Sequence, residues 1–277
     1  MRYRMTLAKM DLCAAMLVIT GCYAPHPPDG IACSEDRTCP DPLICSFGLC
    51  VETVPPCVPI DDGAGTLTIP TLHSPITIDG SLADWPTCFI SVDPTNAGLV
   101  RDLGANGHFA SGRFSLAGDG TRLYLAAEVN IVAPLGDQPV PAIYKNNAIS
   151  VYFDGDGVFT TAAYDADTAQ IVVDHANRTQ GFHSGSLIPT PDLVTAAMTG
   201  DTTFTIEMSL DPSTLSLTSF APTIGFDIGL VGGDGSIMTS ELVWYQACKP
   251  PDCVCTNGDS APYCDARQLG TATFAAP

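Results

Sequence analysis

Short runs of β-branched and aromatic residues, closed by Gly, Asp, Asn or Pro at intervals of about 8–15 residues, constrain this chain more than any other feature. Thr121–Val132 (TRLYLAAEVNIV), Ala148–Asp154 (AISVYFD), Gln170–Asp174 (QIVVD), Thr202–Leu210 (TTFTIEMSL), Ile224–Val231 (IGFDIGLV) and Glu241–Tyr245 (ELVWY) read as strands. In the first of them Leu123, Leu125 and Ala127 alternate with Tyr124, Ala126 and Glu128, two faces of unequal polarity, as in a half-buried strand. No stretch beyond about ten residues keeps a helical period with caps. The 25 Gly and 23 Pro supply turns and disfavour a helical bundle. The expected fold class is all-β: an antiparallel, jelly-roll-like β-sandwich over residues 66–277, with a small disulfide-rich segment before it. Trp85 and Trp244 lie in strand contexts and are expected in the core.

Charge excludes one class of partner. Eleven Lys and Arg stand against 30 Asp and Glu, a net charge of −19. Residues 1–21 hold Arg2, Arg4 and Lys9 against Asp11, so the remainder carries 8 basic and 29 acidic residues, a net of −21. Such a surface repels phosphate backbones, and nucleic acid is not expected as a partner.

The basic residues at the start precede the apolar run Leu12–Ile19, which is too short for the roughly 20 residues of a membrane span. Residues 1–21 therefore read as an export signal. The run closes on Ile19-Thr20-Gly21-Cys22, which resembles the bacterial lipobox. That resemblance implies a diacylglyceryl anchor on Cys22, exported protein, and attachment to the cell envelope without a span. The competing reading is an ordinary secreted protein with a fortuitous Cys. Tyr23 after Cys22 points to the outer membrane by analogy with enterobacterial sorting.

Ten cysteines follow: Cys33, Cys39, Cys45, Cys50, Cys57, Cys88, Cys248, Cys253, Cys255 and Cys264. An even number in an exported chain reads as disulfides. Four of them fall in residues 33–50, where Leu43, Ile44, Phe47 and Leu49 are too few to form a core, so cross-links must replace burial. Metal binding competes, but the Cys-x5-Cys-x5-Cys-x4-Cys spacing lacks the close pairs of structural zinc sites. Three connectivities are open. The segment resembles Cys-rich stretches of lipoproteins from predatory and social proteobacteria. Residues 22–32 and 51–65 are Pro- and Gly-rich and read as a tether and a linker.

In the main domain, Ile78-Asp79-Gly80 with Trp85, Arg122–Leu125, Asn146–Asp154, Thr205–Leu210, Ile224–Asp227 and Leu269-Gly270 occur in order over about 200 residues. Together they resemble the conserved pieces of family 9 carbohydrate-binding modules and of the related DOMON-like sandwiches. The resemblance implies a non-catalytic domain that holds a sugar between two aromatic rings, with polar side chains at its hydroxyls. The family's two Trp positions fall on Tyr144 and near Tyr263, and Gln170 is a remaining polar partner. The family's carboxylate falls on Ser150 and its Arg on Val172, which favours an alternative: a protein-interaction or structural envelope module that has lost the sugar site. The haem-binding branch of these sandwiches would need axial ligands, for which Met208 and His175 are available.

Asp154-Gly155-Asp156-Gly157 follows a strand, with Asp165 and Asp167 close behind. Calcium takes six to eight hard oxygens on flexible turns, so Asp154 and Asp156 are expected to hold a structural calcium. Turn chemistry, which selects Asp and Gly, is the competing reading. No Gly-x-Ser-x-Gly, His-Glu-x-x-His or phosphate loop is present. The chain is read as a non-enzyme and no catalytic residue is assigned.

Overall fold

A computed structural model describes residues 31–34, 38–41, 43–46, 49–51, 65–72, 76–85, 89–105, 108–132, 135–158, 164–183, 186–190, 192–246 and 265–275. Cys22, Cys57, Cys88, Cys248, Cys253, Cys255, Tyr263 and Cys264 lie outside the described residues, as do the export signal and most of the tether and linker.

Near the N-terminus, β1 (Ile31–Ala32), β2 (Ile44–Ser46) and β3 (Leu49–Val51) form a small antiparallel sheet in the order β1-β3-β2. Of the three open connectivities, the structure has Cys33–Cys45 and Cys39–Cys50. The first bridge joins the residue after β1 to the middle of β2, and the second joins Cys39 to the middle of β3.

The rest is a two-sheet sandwich. Its larger sheet runs β12 (Ser186–Ile188), β11 (Thr179–His183), β10 (Thr168–Asp174), β9 (Ala148–Asp154), β15 (Thr223–Gly233), β16 (Met238–Val243) and β6 (Leu99–Asp102). β17 (Gly270–Phe274) pairs with the start of β15 and, in parallel, with β4 (Thr66–Ile69). The smaller sheet is β13 (Leu193–Thr199), β14 (Thr203–Leu210), β8 (Leu123–Asn130), β7 (Gly112–Gly118) and β5 (Ile90–Val92). Apart from β17 with β4, the named pairings are antiparallel.

Alternation decides which side chains enter the core. Phe204, Ile206, Met208 and Leu210 of β14 point inward, as do Leu123, Leu125, Ala127 and Val129 of β8. Facing them are Ile149, Val151 and Phe153 of β9 and Ile224, Phe226, Ile228 and Leu230 of β15. Phe114, Phe153, Phe226 and Trp244 pack ring against ring at its centre, with centroids 5.8–6.1 Å apart. Trp244 is therefore a core residue.

Both outer faces are partly covered as well. Leu72, Ile76 and Trp85 lie over Tyr124, Ala126 and Ala117 on the outside of the smaller sheet. On the outside of the larger sheet Ile143 packs with Ala148, Val172 and Val231. Strand β9 is consequently buried at every position, which is why its sequence reads as a nearly continuous apolar run.

Candidate functional site

The Ile78-Asp79-Gly80 segment is held by a carboxylate from another strand. Glu207 of β14 is fully buried. It accepts from the Asp79 N–H at 2.8 Å, from the Gly80 N–H, and from the Trp85 indole Nε1–H. Gly80 has φ +87°, a conformation that favours glycine. Burial pushes the Glu207 carboxyl up, against the pull of these three donors. The two sequence pieces are thus halves of one structural lock.

On the outer face of the larger sheet, the register sets Gln170 opposite Tyr152, and Val172 opposite Ser150. Gln170 is half-buried, and its Nε2 donates to Ser150 Oγ at 3.3 Å and to Tyr152 Oη at 3.4 Å. The Tyr152 hydroxyl donates to Glu241 Oε1 at 2.9 Å, and Glu241 Oε2 accepts from Arg101 Nη1 at 2.6 Å. Gly229 makes room for that carboxylate, since a Cβ there would lie 2.6 Å from Glu241 Oε1. This polar chain spans five strands, from β6 through β16, β15 and β9 to β10. Sequence reading missed its Arg101–Glu241 end, although one Glu in ELVWY and one Arg in LVRD were the available signal.

Tyr144 stands at the edge of the same face, in the 3-10 turn Ile143–Lys145 that leads into β9. Its neighbour Ile143 is fully buried in the outer apolar cluster, while the Tyr144 ring is 39% exposed with Lys145 Nζ 6.0 Å from its centroid. The ring is therefore presented to solvent from a fixed base. Tyr263, the other half of the expected clamp, is outside the described residues. Ser150 and Val172 are buried, and Val172 packs against Ile143. Where the resemblance has a carboxylate and an Arg, this chain has packing.

The acidic loop follows β9. Ligand oxygens of Asp154, Asp156 and Asp167 lie within 4.8 Å of one another, and two oxygens about 2.4 Å from one calcium are at most about 4.8 Å apart. Asp154 accepts from the Gly157 N–H at 3.1 Å and the Thr168 hydroxyl at 3.3 Å, whereas the buried Oδ2 of Asp167 has no partner. Burial and the neighbouring carboxylates push Asp154 and Asp167 each up to about 6. Asp167 joins the loop because Thr168 pairs with Asp154 across the β9–β10 hairpin.

The acidic groups elsewhere are different. Asp119 and Asp234 accept N–H and hydroxyl donors of their own turns. Asp227 is fully buried within β15; its Oδ1 accepts from Ile228 and Tyr245 N–H, and its Oδ2 has no partner.

Met208 lies in the inter-sheet core, while His175 binds the Gly136 carbonyl at 2.8 Å and packs on Phe204. Phe204 is four residues from Met208 along β14, about 13 Å of strand. Met208 and His175 are thus engaged separately.

Residues 78–274, more than half of the chain, match the family model "Carbohydrate family 9 binding domain-like". The chain belongs to that family. As a family 9-like domain it is similar to a family 9 carbohydrate-binding module from Caldicellulosiruptor kristjanssonii in complex with cellotriose, at 14% identity and a TM-score of 0.58 over 76% of this chain and 94% of that one. For the same organism's module in complex with glucose, identity is 14% and the TM-score 0.57, over 76% and 96% of the two chains. A candidate carbohydrate-binding protein of Bacteroides uniformis gives 15% identity and a TM-score of 0.50, over 76% and 99%. At such identities the solved structures share the fold. No curated protein matches the chain by sequence. In this family 9-like domain the Glu207 lock joins Ile78-Asp79-Gly80 with Trp85 to Thr205–Leu210, two of the six sequence pieces that carry the resemblance.

Proposed function

We propose that this protein is a non-catalytic carbohydrate-binding module carried by an exported lipoprotein, with Tyr144 as the stacking platform and Gln170 as a polar partner. The observation that carries the reading is Tyr144 itself: an exposed aromatic ring on a buried anchor, at the edge of a polar sheet face in a family 9-like domain. Pyranose rings pack their C–H faces on aromatic planes while fixed polar groups replace water at the hydroxyls. The solved family 9 modules that share the fold are in complex with cellotriose and with glucose, which makes these the first ligands to try. Tyr263 is proposed as the opposing ring. Affinity electrophoresis through polysaccharide gels tests the reading: the wild type is retarded on at least one polysaccharide and Tyr144→Ala is not.

A second reading has an observation of its own. Ser150 and Val172 are buried rather than open to a ligand, which favours an envelope module that binds another protein on the same fold. Absence of retardation on every polysaccharide would favour it.

Two attributes complete the proposal. Cys22 carries the lipid anchor, so that the domain sits on the outer membrane; palmitate labelling is expected in the wild type and lost in Cys22→Ser. Asp154, Asp156 and Asp167 hold a structural calcium, supported by the unpartnered buried oxygen of Asp167 among hard oxygen donors.

A further inference from the structure

The far end of β9 from Tyr144 lies beside a second concavity. Its volume is about 520 Å³, within the range that small-molecule sites occupy. Phe220 and Phe274 stack in its wall, with centroids 5.8 Å apart and planes 27° from parallel. Gly118 lets Phe274 in, since a Cβ there would come within 2.8 Å of the ring.

Polar groups rim this apolar wall. Arg122 and Asp211 are each about one-third exposed, with Arg122 Nη2 3.7 Å from Asp211 Oδ2. Arg122 Nη1 donates to Ser209 Oγ at 3.0 Å, and Asp211 Oδ1 accepts from the Ser213 N–H. Thr218 and Ser219 stand exposed on the lining. The 217–222 segment that carries them is fastened in three places. Ala221 N–H donates to the Gly155 carbonyl at 3.2 Å, Leu217 N–H donates to the Pro212 carbonyl at 3.1 Å, and Leu217 packs closely on Gly155. Its wall is thus fixed by backbone bonds of its own, which lowers the entropic cost of filling the cavity.

The chemistry of the lining narrows the ligand class. Asp119 and Asp211 outnumber Arg122 in a chain of net charge −19, so an anion is disfavoured. Donors and acceptors side by side, next to a pair of aromatic rings, suit a neutral molecule with one apolar face and several hydroxyls. We infer that this cavity is a second carbohydrate site, taking a single pyranose unit against Phe220 with Arg122 and Asp211 at its hydroxyls. The inference rests on the carbohydrate reading of the domain but uses no residue of the Tyr144 face.

Amide chemical-shift titration of the full chain with glucose and with cellotriose tests it. The expected result is a saturable set of shifts over residues 119–122 and 218–222. Arg122→Gln and Thr218→Tyr, the latter filling the mouth from an exposed position, are expected to weaken that set at least tenfold; Tyr144→Ala leaves it unchanged. Shifts confined to the Tyr144 face, or shifts at the cavity that both variants leave intact, overturn the second site and keep the carbohydrate reading. No shift anywhere with either sugar overturns the site, and the polysaccharide gels then decide the fate of the wider reading.

Discussion

Glu207 shows how a single side chain can organise a segment distant in sequence. Its carboxylate holds three donors in a buried place, and removing an acceptor there strands the donors without water to replace it. Glu207→Gln keeps the shape but turns an NH2 towards N–H groups. It is predicted to cost about 1–3 kcal/mol, which lowers the melting temperature by about 2–4 °C per kcal/mol in a domain of this size; a melting curve of the two proteins measures it. Asp227 gives a prediction in pH. Burial holds its carboxyl well above the usual range, so the fold keeps a proton that the unfolded chain releases near pH 4. The resulting stability is complete below about pH 4 and is lost as pH rises through the folded value. Asp227→Asn needs no such proton. Urea unfolding at a series of pH values is therefore expected to show the variant gaining on the wild type as pH rises from about 4; parallel curves would contradict this.

At the scale of elements, the strands differ in how openly the sequence announces them. β9 is legible because it is apolar on both faces, and β14 because Phe204, Ile206, Met208 and Leu210 alternate with Thr205, Glu207 and Ser209. β13 (LVTAAMT) and β17 (GTATF) carry Ala and Thr at their middle positions, whose side chains give little contrast between faces, and pairing with β14, β15 and β4 defines them. The acidic loop is half legible for the same reason. Asp154 and Asp156 are two residues apart in sequence, but Asp167 reaches them through the β9–β10 register. Calcium added to chelator-treated protein is predicted to raise its melting temperature, by an amount equivalent to about 2.7 kcal/mol at one hundred times the dissociation constant. Asp167→Asn is predicted to abolish most of that rise. The Cys-rich sheet makes a separate prediction. Among the described residues none of its strands pairs with the sandwich, and each bridge closes a loop of about 12 residues worth about 3 kcal/mol. Replacing Cys33, Cys39, Cys45 and Cys50 by Ser is expected to expose the amides of Ile44–Ser46 and Leu49–Val51 to hydrogen exchange while the sandwich melts at its usual temperature.

For the molecule as a whole, fold and ligand site were legible to different degrees because they depend on different residues. The sandwich follows from alternation, turns and a family pattern spread over 78–274, many weak signals that agree. The proposed sugar face depends on a few side chains, and at two positions where the resemblance implies ligand groups, Ser150 and Val172, this chain has buried side chains. Tyr144 presents an exposed ring next to the buried Ile143. The central claim is that this ring still holds a sugar. Affinity electrophoresis of the wild type and Tyr144→Ala through a panel of polysaccharides tests it most directly. The account predicts retardation of the wild type on at least one polysaccharide and free migration of Tyr144→Ala on the same gel. Equal mobility of the two proteins on every gel would contradict it.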